Sequence, residues 1–143
     1  MSTSDGSSVL ESVADRAARA LPPSPTLARW GLGGMLLAAG VHKLLNPGAW
    51  AVYVVDWLAP LLVVSPVAFM LVNGWLEIGF ALLLVADRYT GVAASVAAAS
   101  LTATIGYLAV VWATSGRFGD VIARDVGLLG LALAVLADAL RGE

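Results

Sequence analysis

Four long apolar runs divide this chain, and polar punctuation separates them. They extend from Thr26 to about Asn46, from Pro66 to Ala86, from about Gly91 to Ala113 and from about Val121 to Leu140. A helix that spans a bilayer needs about 20 such residues. The spacing therefore predicts four spanning helices. Ser24-Pro25 and Ser65-Pro66 each offer a capping hydroxyl followed by a first-turn proline. Thr90 and Asp120 are the expected caps of the third and fourth helices. The short links "DRYTG" and "TSGRFGD" make successive helices antiparallel.

The connection between the first and second runs is longer: "PGAWAVYVVDWLAPLLVVS". It is apolar and aromatic but broken by Asp56 and Pro60. It is too short to cross a bilayer and leave turns at both ends. It reads as an interfacial segment, with Trp50, Tyr53 and Trp57 as anchors at headgroup depth. The fold class expected is all-α: an integral membrane four-helix bundle with an interfacial aromatic segment between its first two helices.

Residues 1–25 form a polar tail rich in Ser and Ala, without the basic start and apolar core of a signal peptide. Val9, Leu10, Val13, Ala17 and Leu21 share one face at helical spacing. A disordered tip followed by a short amphipathic surface helix fits this pattern; a wholly disordered tail fits it as well. Residues 26–143 make one transmembrane domain. Small residues are frequent in the first run (Gly31, Gly33, Gly34, Ala38, Ala39, Gly40) and in the last (Gly127, Gly130), which permits close helix approach.

Composition agrees with the membrane class: 143 residues, 59% hydrophobic and only 13% charged. Zero cysteines exclude disulfides, thiolate metal sites and a CxxC pair. The single histidine, His42, excludes bis-histidine haem ligation within one chain. No metal site and no nucleic-acid partner is expected, and the net charge of −2 argues for no partner of its own. With four spans both termini share a side. That side collects Arg16, Arg19, Arg29, Arg88 and Arg141, against Lys43, Arg117 and Arg124 on the other, so the expected location is a cell membrane with both termini cytoplasmic.

The few charges inside the runs carry the candidate chemistry. At about 1.5 Å per residue, Lys43 lies roughly 5 Å below one surface, Glu77 about 16 Å deep, and Arg124 and Asp125 roughly 5 Å in from that same surface. Asn73 is one turn from Glu77; Tyr107, His42 and Trp75 lie in the same half of the bilayer. A charge near the midplane costs at least about 2.5–3.5 kcal/mol, so Glu77 needs a partner. Arg124 is the partner expected for Glu77, and Asp125 for Lys43. The candidate ligand-binding cluster is therefore His42, Lys43, Asn73, Trp75, Glu77, Tyr107, Arg124 and Asp125, under an aromatic cover. The same pairs serve equally well as glue between helices.

Arg29, "GVHKLLNPGAW", "GWLEIGFALLLV" and "RDVGLLGLALAVL", in that order, resemble the DoxX family of small four-helix membrane proteins. The resemblance runs from about Arg29 to Leu136. It implies a bundle in which Gly40, Lys43, Glu77, Arg124 and Asp125 stand at family positions. Members of the family are tied to terminal oxidase and thiosulfate:quinone oxidoreductase complexes and to membrane redox and stress-response assemblies. The resemblance thus implies a membrane subunit or anchor of a quinone-linked redox complex, with quinone as the one cofactor in view and a soluble or membrane redox subunit as partner beside the lipid bilayer. It would be at most an oxidoreductase subunit without thiol, haem or metal chemistry of its own. A non-enzymatic scaffold or assembly factor and a small-solute or lipid transporter stay open as alternatives, as does a homo-oligomer.

Overall fold

Apolar runs without a backbone-breaking residue satisfy their own N–H and C=O groups by coiling, and the chain does so almost throughout. The computed structural model describes residues 4–142. Among them lie six α-helices, one 3-10 turn and no strand. The helices are α1 (Ser4–Ala20), α2 (Ser24–Leu45), α3 (Pro47–Ala51), α4 (Pro66–Val85), α5 (Thr90–Ser115) and α6 (Gly119–Gly142), with the 3-10 turn at Ala59–Leu61. The tail is thus helical from Ser4 rather than disordered, while the extreme tip lies outside the described residues. Val9, Leu10 and Val13 of α1 stay exposed.

The capping expectations hold only in part. Ser65 Oγ accepts from the Ala68 N–H at 3.2 Å. Ser24 instead begins α2 behind Pro23 and makes no side-chain cap. Thr90 is the first residue of α5 and donates to Asp87 Oδ1 at 2.8 Å. Asp120 falls inside the first turn of α6, where its charge still favours the helix N-terminus.

Helices α2 and α4 form one closely packed antiparallel pair, and α5 and α6 form another. Backbones meet at the α2–α4 crossing. A Cβ on Gly40 would lie 2.7 Å from the Gly74 carbonyl oxygen, and one on Gly74 would lie 2.9 Å from that of Gly40. Only glycine at both positions permits this approach. Gly33 also meets α4, at Ala81 and Leu84. The glycines Gly34, Gly127 and Gly130 face open space, so the two α6 glycines mediate no close helix contact, whereas Ala132 of α6 is buried in the core.

The apolar core fills the half of the bundle near the α4–α5 turn. Leu32 and Leu36 of α2, Leu84 of α4, Ala93 and Ala97 of α5 and Val135 of α6 are buried there. The alanine face of α5 lets its neighbours in closely. Arg29 closes that end with an ion pair to Asp87 in the turn. Both Asp87 and Tyr89 take left-handed backbone conformations in that tight link, with φ of 54° and 52°.

At the opposite end the long connection folds over the bundle. Tyr107 of α5 holds it: its hydroxyl donates to Tyr53 O at 2.7 Å and accepts from Val55 N–H at 3.1 Å. Edge contacts join Trp57 to Tyr107 and Tyr53 to Phe118, with centroids 5.5 and 5.0 Å apart. Helices α4 and α5 are long and apolar enough to cross a membrane. Helices α2 and α6, with 22 and 24 residues, match them in length but carry more charge, including Arg29 and Lys43 in α2 and Arg124, Asp125 and Asp138 in α6.

Candidate functional site

Beneath the aromatic cover the four long helices do not close on one another. They leave a cavity of about 680 Å³. Its apolar wall includes Met35, Leu36, Phe69, Met70, Phe80 and Leu128. Its polar lining comes from His42, Asn73, Glu77, Arg124 and Asp125, with Trp50 from the connection. Ser100 and Thr104, one turn apart on α5, add two hydroxyls. Sequence reasoning missed that pair, although hydroxyls four residues apart in an apolar helix were a visible signal.

Ion pairing differs from the sequence expectation. Lys43 binds Glu77, not Asp125, and Arg124 binds Asp125, not Glu77. The α2–α4 crossing explains the exchange. Lys43 sits one turn beyond Gly40, with its Cβ against Gly74. Side chains lean toward the N-terminus of their own helix. In an antiparallel pair Lys43 and Glu77 therefore lean toward each other. Nζ reaches Glu77 Oε1 at 2.5 Å and Asn73 Oδ1 at 2.6 Å, and lies 4.5 Å from the Trp50 ring centroid. Two anionic or amide oxygens and one aromatic face use the three N–H groups of an ammonium. That is how a lysine only 5% exposed is tolerated.

Arg124 and Asp125 are sequence neighbours, and their bond is local, with Nε to Oδ1 at 2.9 Å. The Asp125 residue is 4% exposed, while the Arg124 side chain is 54% exposed. Glu77 uses one oxygen for Lys43. Its other oxygen, Oε2, is buried and has no hydrogen-bond partner among the described residues. His42 lines the cavity and accepts at Nδ1 from Trp50 Nε1, at 2.8 Å. That bond places the ring proton on Nε2, which remains a donor.

Of the eight sequence candidates, five line the cavity: His42, Asn73, Glu77, Arg124 and Asp125. Lys43 lies behind the wall and holds Glu77 and Asn73 in place. Tyr107 serves the connection instead. Trp75 is 66% exposed and points away from the cavity, because it lies on the outer face of α4, two residues from Glu77. Four charges of two signs therefore converge on one half of the bundle, and their sum is zero.

Such a chain is an all-helical membrane protein with a polar-ended cavity between its helices. The DoxX family model matches residues 24–113, more than half of the chain. The chain belongs to the DoxX family. The match holds the motifs around Lys43 and Glu77 and stops short of α6, so Arg124 and Asp125 lie outside it. No curated protein matches, and no solved structure matches.

Proposed function

We propose that this DoxX protein crosses the membrane four times, through α2, α4, α5 and α6, and binds a quinone-type lipophile in the cavity between them, as a membrane subunit of a redox complex. One observation carries the reading: a cavity of about 680 Å³ that is apolar over most of its wall and polar at one end. Ligand sites have this form, with an apolar slot and a few placed polar groups. A quinone ring with its isoprenoid tail has the same division. Both termini and the α4–α5 turn would face the cytoplasm, and the aromatic connection the other side.

Two measurements test this. The protein in lipid nanodiscs is titrated calorimetrically with a soluble quinone–hydroquinone pair, trimethylbenzoquinone and trimethylhydroquinone. Binding of at least one form supports the cavity reading, and binding of neither overturns it. Orientation is tested in the natural cysteine-free background. Ser115→Cys should react with an impermeant maleimide in intact cells, and Tyr89→Cys should not. The reverse pattern would invert the topology. A scaffold is the second reading, favoured by Lys43 and Tyr107, whose bonds are spent on holding helices and connection together.

A further inference from the structure

We infer that α1 is a membrane-surface helix: it lies flat on the bilayer that α2 enters, with Val9, Leu10, Val13, Ala17 and Leu21 sunk among the headgroups and upper acyl chains. This is independent of the quinone reading and rests only on α2 spanning the membrane.

The sequence builds this helix with two unlike sides. At about 3.6 residues per turn, Val9, Leu10, Val13, Ala17 and Leu21 fall on one side, and Glu11, Asp15 and Arg19 fall on the other. Leu21 extends the apolar side past Ala20, because its N–H donates to Ala17 O at 3.0 Å. No described part of the bundle covers that side. Every residue from Ser8 to Leu21 is exposed, and Val9, Leu10, Val13 and Leu21 are between 58% and 71% exposed. A lone helix of 17 residues is marginal in water and draws its stability from burying an apolar face. That face needs a surface.

The bilayer is the surface within reach. Pro22 and Pro23 alone separate Leu21 from α2. Neither can donate within a helix, and Pro23 is extended, with ψ of 144°, so the chain leaves α1 and begins α2 afresh. The exposed apolar side resumes in the first turns of α2, at Leu27 and Trp30. Tryptophan favours headgroup depth. One apolar surface therefore runs from α1 onto the lipid-facing side of a spanning helix. Helix α1 does not itself cross. It is about 25 Å long, carries Glu11, Asp15, Arg16 and Arg19, and the hydrocarbon core is about 30 Å thick. Glu11 and Asp15 offset Arg16 and Arg19 between Ser8 and Leu21, so attraction to anionic lipid contributes nothing there. Burial of the apolar side holds the helix down, and zwitterionic lipid suffices.

The test uses the full chain in nanodiscs of phosphatidylcholine, a single copy to each disc. The cysteine-free background lets a polarity-sensitive fluorophore be attached at Val13→Cys, Asp15→Cys or Gly34→Cys, each in its own protein. Gly34 faces open space near the middle of α2, so its label reports whether α2 spans. The Val13 label should emit blue-shifted and lose intensity when the lipid carries a nitroxide near its headgroup. The Asp15 label should emit as in water and be quenched by aqueous iodide instead. Added salt should leave the Val13 signal unchanged. Leu10→Asp should move the Val13 emission toward its value in water and leave the Gly34 label quenched by a nitroxide deep in the acyl chains. Water-like emission at both Val13 and Asp15 overturns the inference. So does a Val13 label that is blue-shifted yet untouched by nitroxide lipid, because α1 then packs on protein. A Val13 signal that appears only when anionic lipid is added overturns the assignment of the anchor to the apolar side. Failure at Val13 with Gly34 quenched removes this inference alone, whereas a Gly34 label that escapes nitroxide lipid removes the spanning of α2 as well.

Discussion

Removing the Lys43 ammonium should cost the bundle more than removing any other charge in it. Lys43→Met keeps the length and apolar stem, so the change isolates the charge. What is lost is a bond of 2.5 Å to Glu77, one of 2.6 Å to Asn73 and the face of Trp50 at 4.5 Å. Hydrogen bonds to charged groups contribute about 1.5–3 kcal/mol each. Breaking a buried ion pair costs about 3–5 kcal/mol because the other charge is stranded. Taking about 3 kcal/mol, the midpoint of thermal unfolding in detergent should fall by roughly 10 °C. Lys43→Met with Glu77→Gln removes both charges and should recover more than half of that loss, giving a coupling of about 1.5 kcal/mol or more. Arg124→Leu should cost less than Lys43→Met, since that guanidinium is half exposed and its interaction is weakened by solvent. A Lys43→Met loss below about 1 kcal/mol, or a double variant no more stable than Lys43→Met, would refute the buried-pair reasoning.

Three further outcomes follow from the packing. Gly40→Ala should cost about 1–3 kcal/mol in thermal unfolding, because its Cβ would lie 2.7 Å from the Gly74 carbonyl, whereas Gly34→Ala, facing open space, should be neutral or gain up to about 1 kcal/mol. Tyr107→Phe removes both hydrogen bonds to the connection and should speed proteolytic cleavage between Tyr53 and Trp57, with little change in the unfolding midpoint of the helices. Ser100→Leu places apolar volume in the cavity and should raise thermal stability while weakening ligand binding at least about tenfold; binding at full strength would remove the α5 wall from the site.

The sequence made the helices legible because length and apolarity are local properties. The four long helices lie within two or three residues of the expected bounds. It also brought the right polar residues to one end, since depth along a helix follows from counting. It did not reveal who pairs with whom. Depth alone places Lys43 level with Asp125, but pairing depends on which helix faces which. That was decided by Gly40 meeting Gly74, and Gly74 is an unremarkable member of a long apolar run. The same gap explains Trp75. Its depth was read correctly, but its direction needed the rotation of α4, which the contact at Gly74 sets. Tyr107 was placed at the right level too, yet its partners, Tyr53 O and Val55 N, are backbone atoms of an irregular segment that no periodicity can position.

The two ends of the bundle bear on the choice between ligand site and structural glue. Arg29 and Asp87 close one end with an ion pair beside a small cleft of about 130 Å³, and Leu32, Leu84, Ala93 and Ala94 are buried in the core there. A charge pair used to fix helices needs no more than this. At the other end the pairs Lys43–Glu77 and Arg124–Asp125 stand beside about 680 Å³ of open space. Filling that space would stabilise the protein through added contacts. Yet α5 offers Ser100, Ala103 and Thr104 there, all too small to fill it. Lys43 is buried at some cost and satisfies Glu77 through one oxygen only. A scaffold alone gives no reason for the unfilled space beside these pairs, whereas a ligand site requires it.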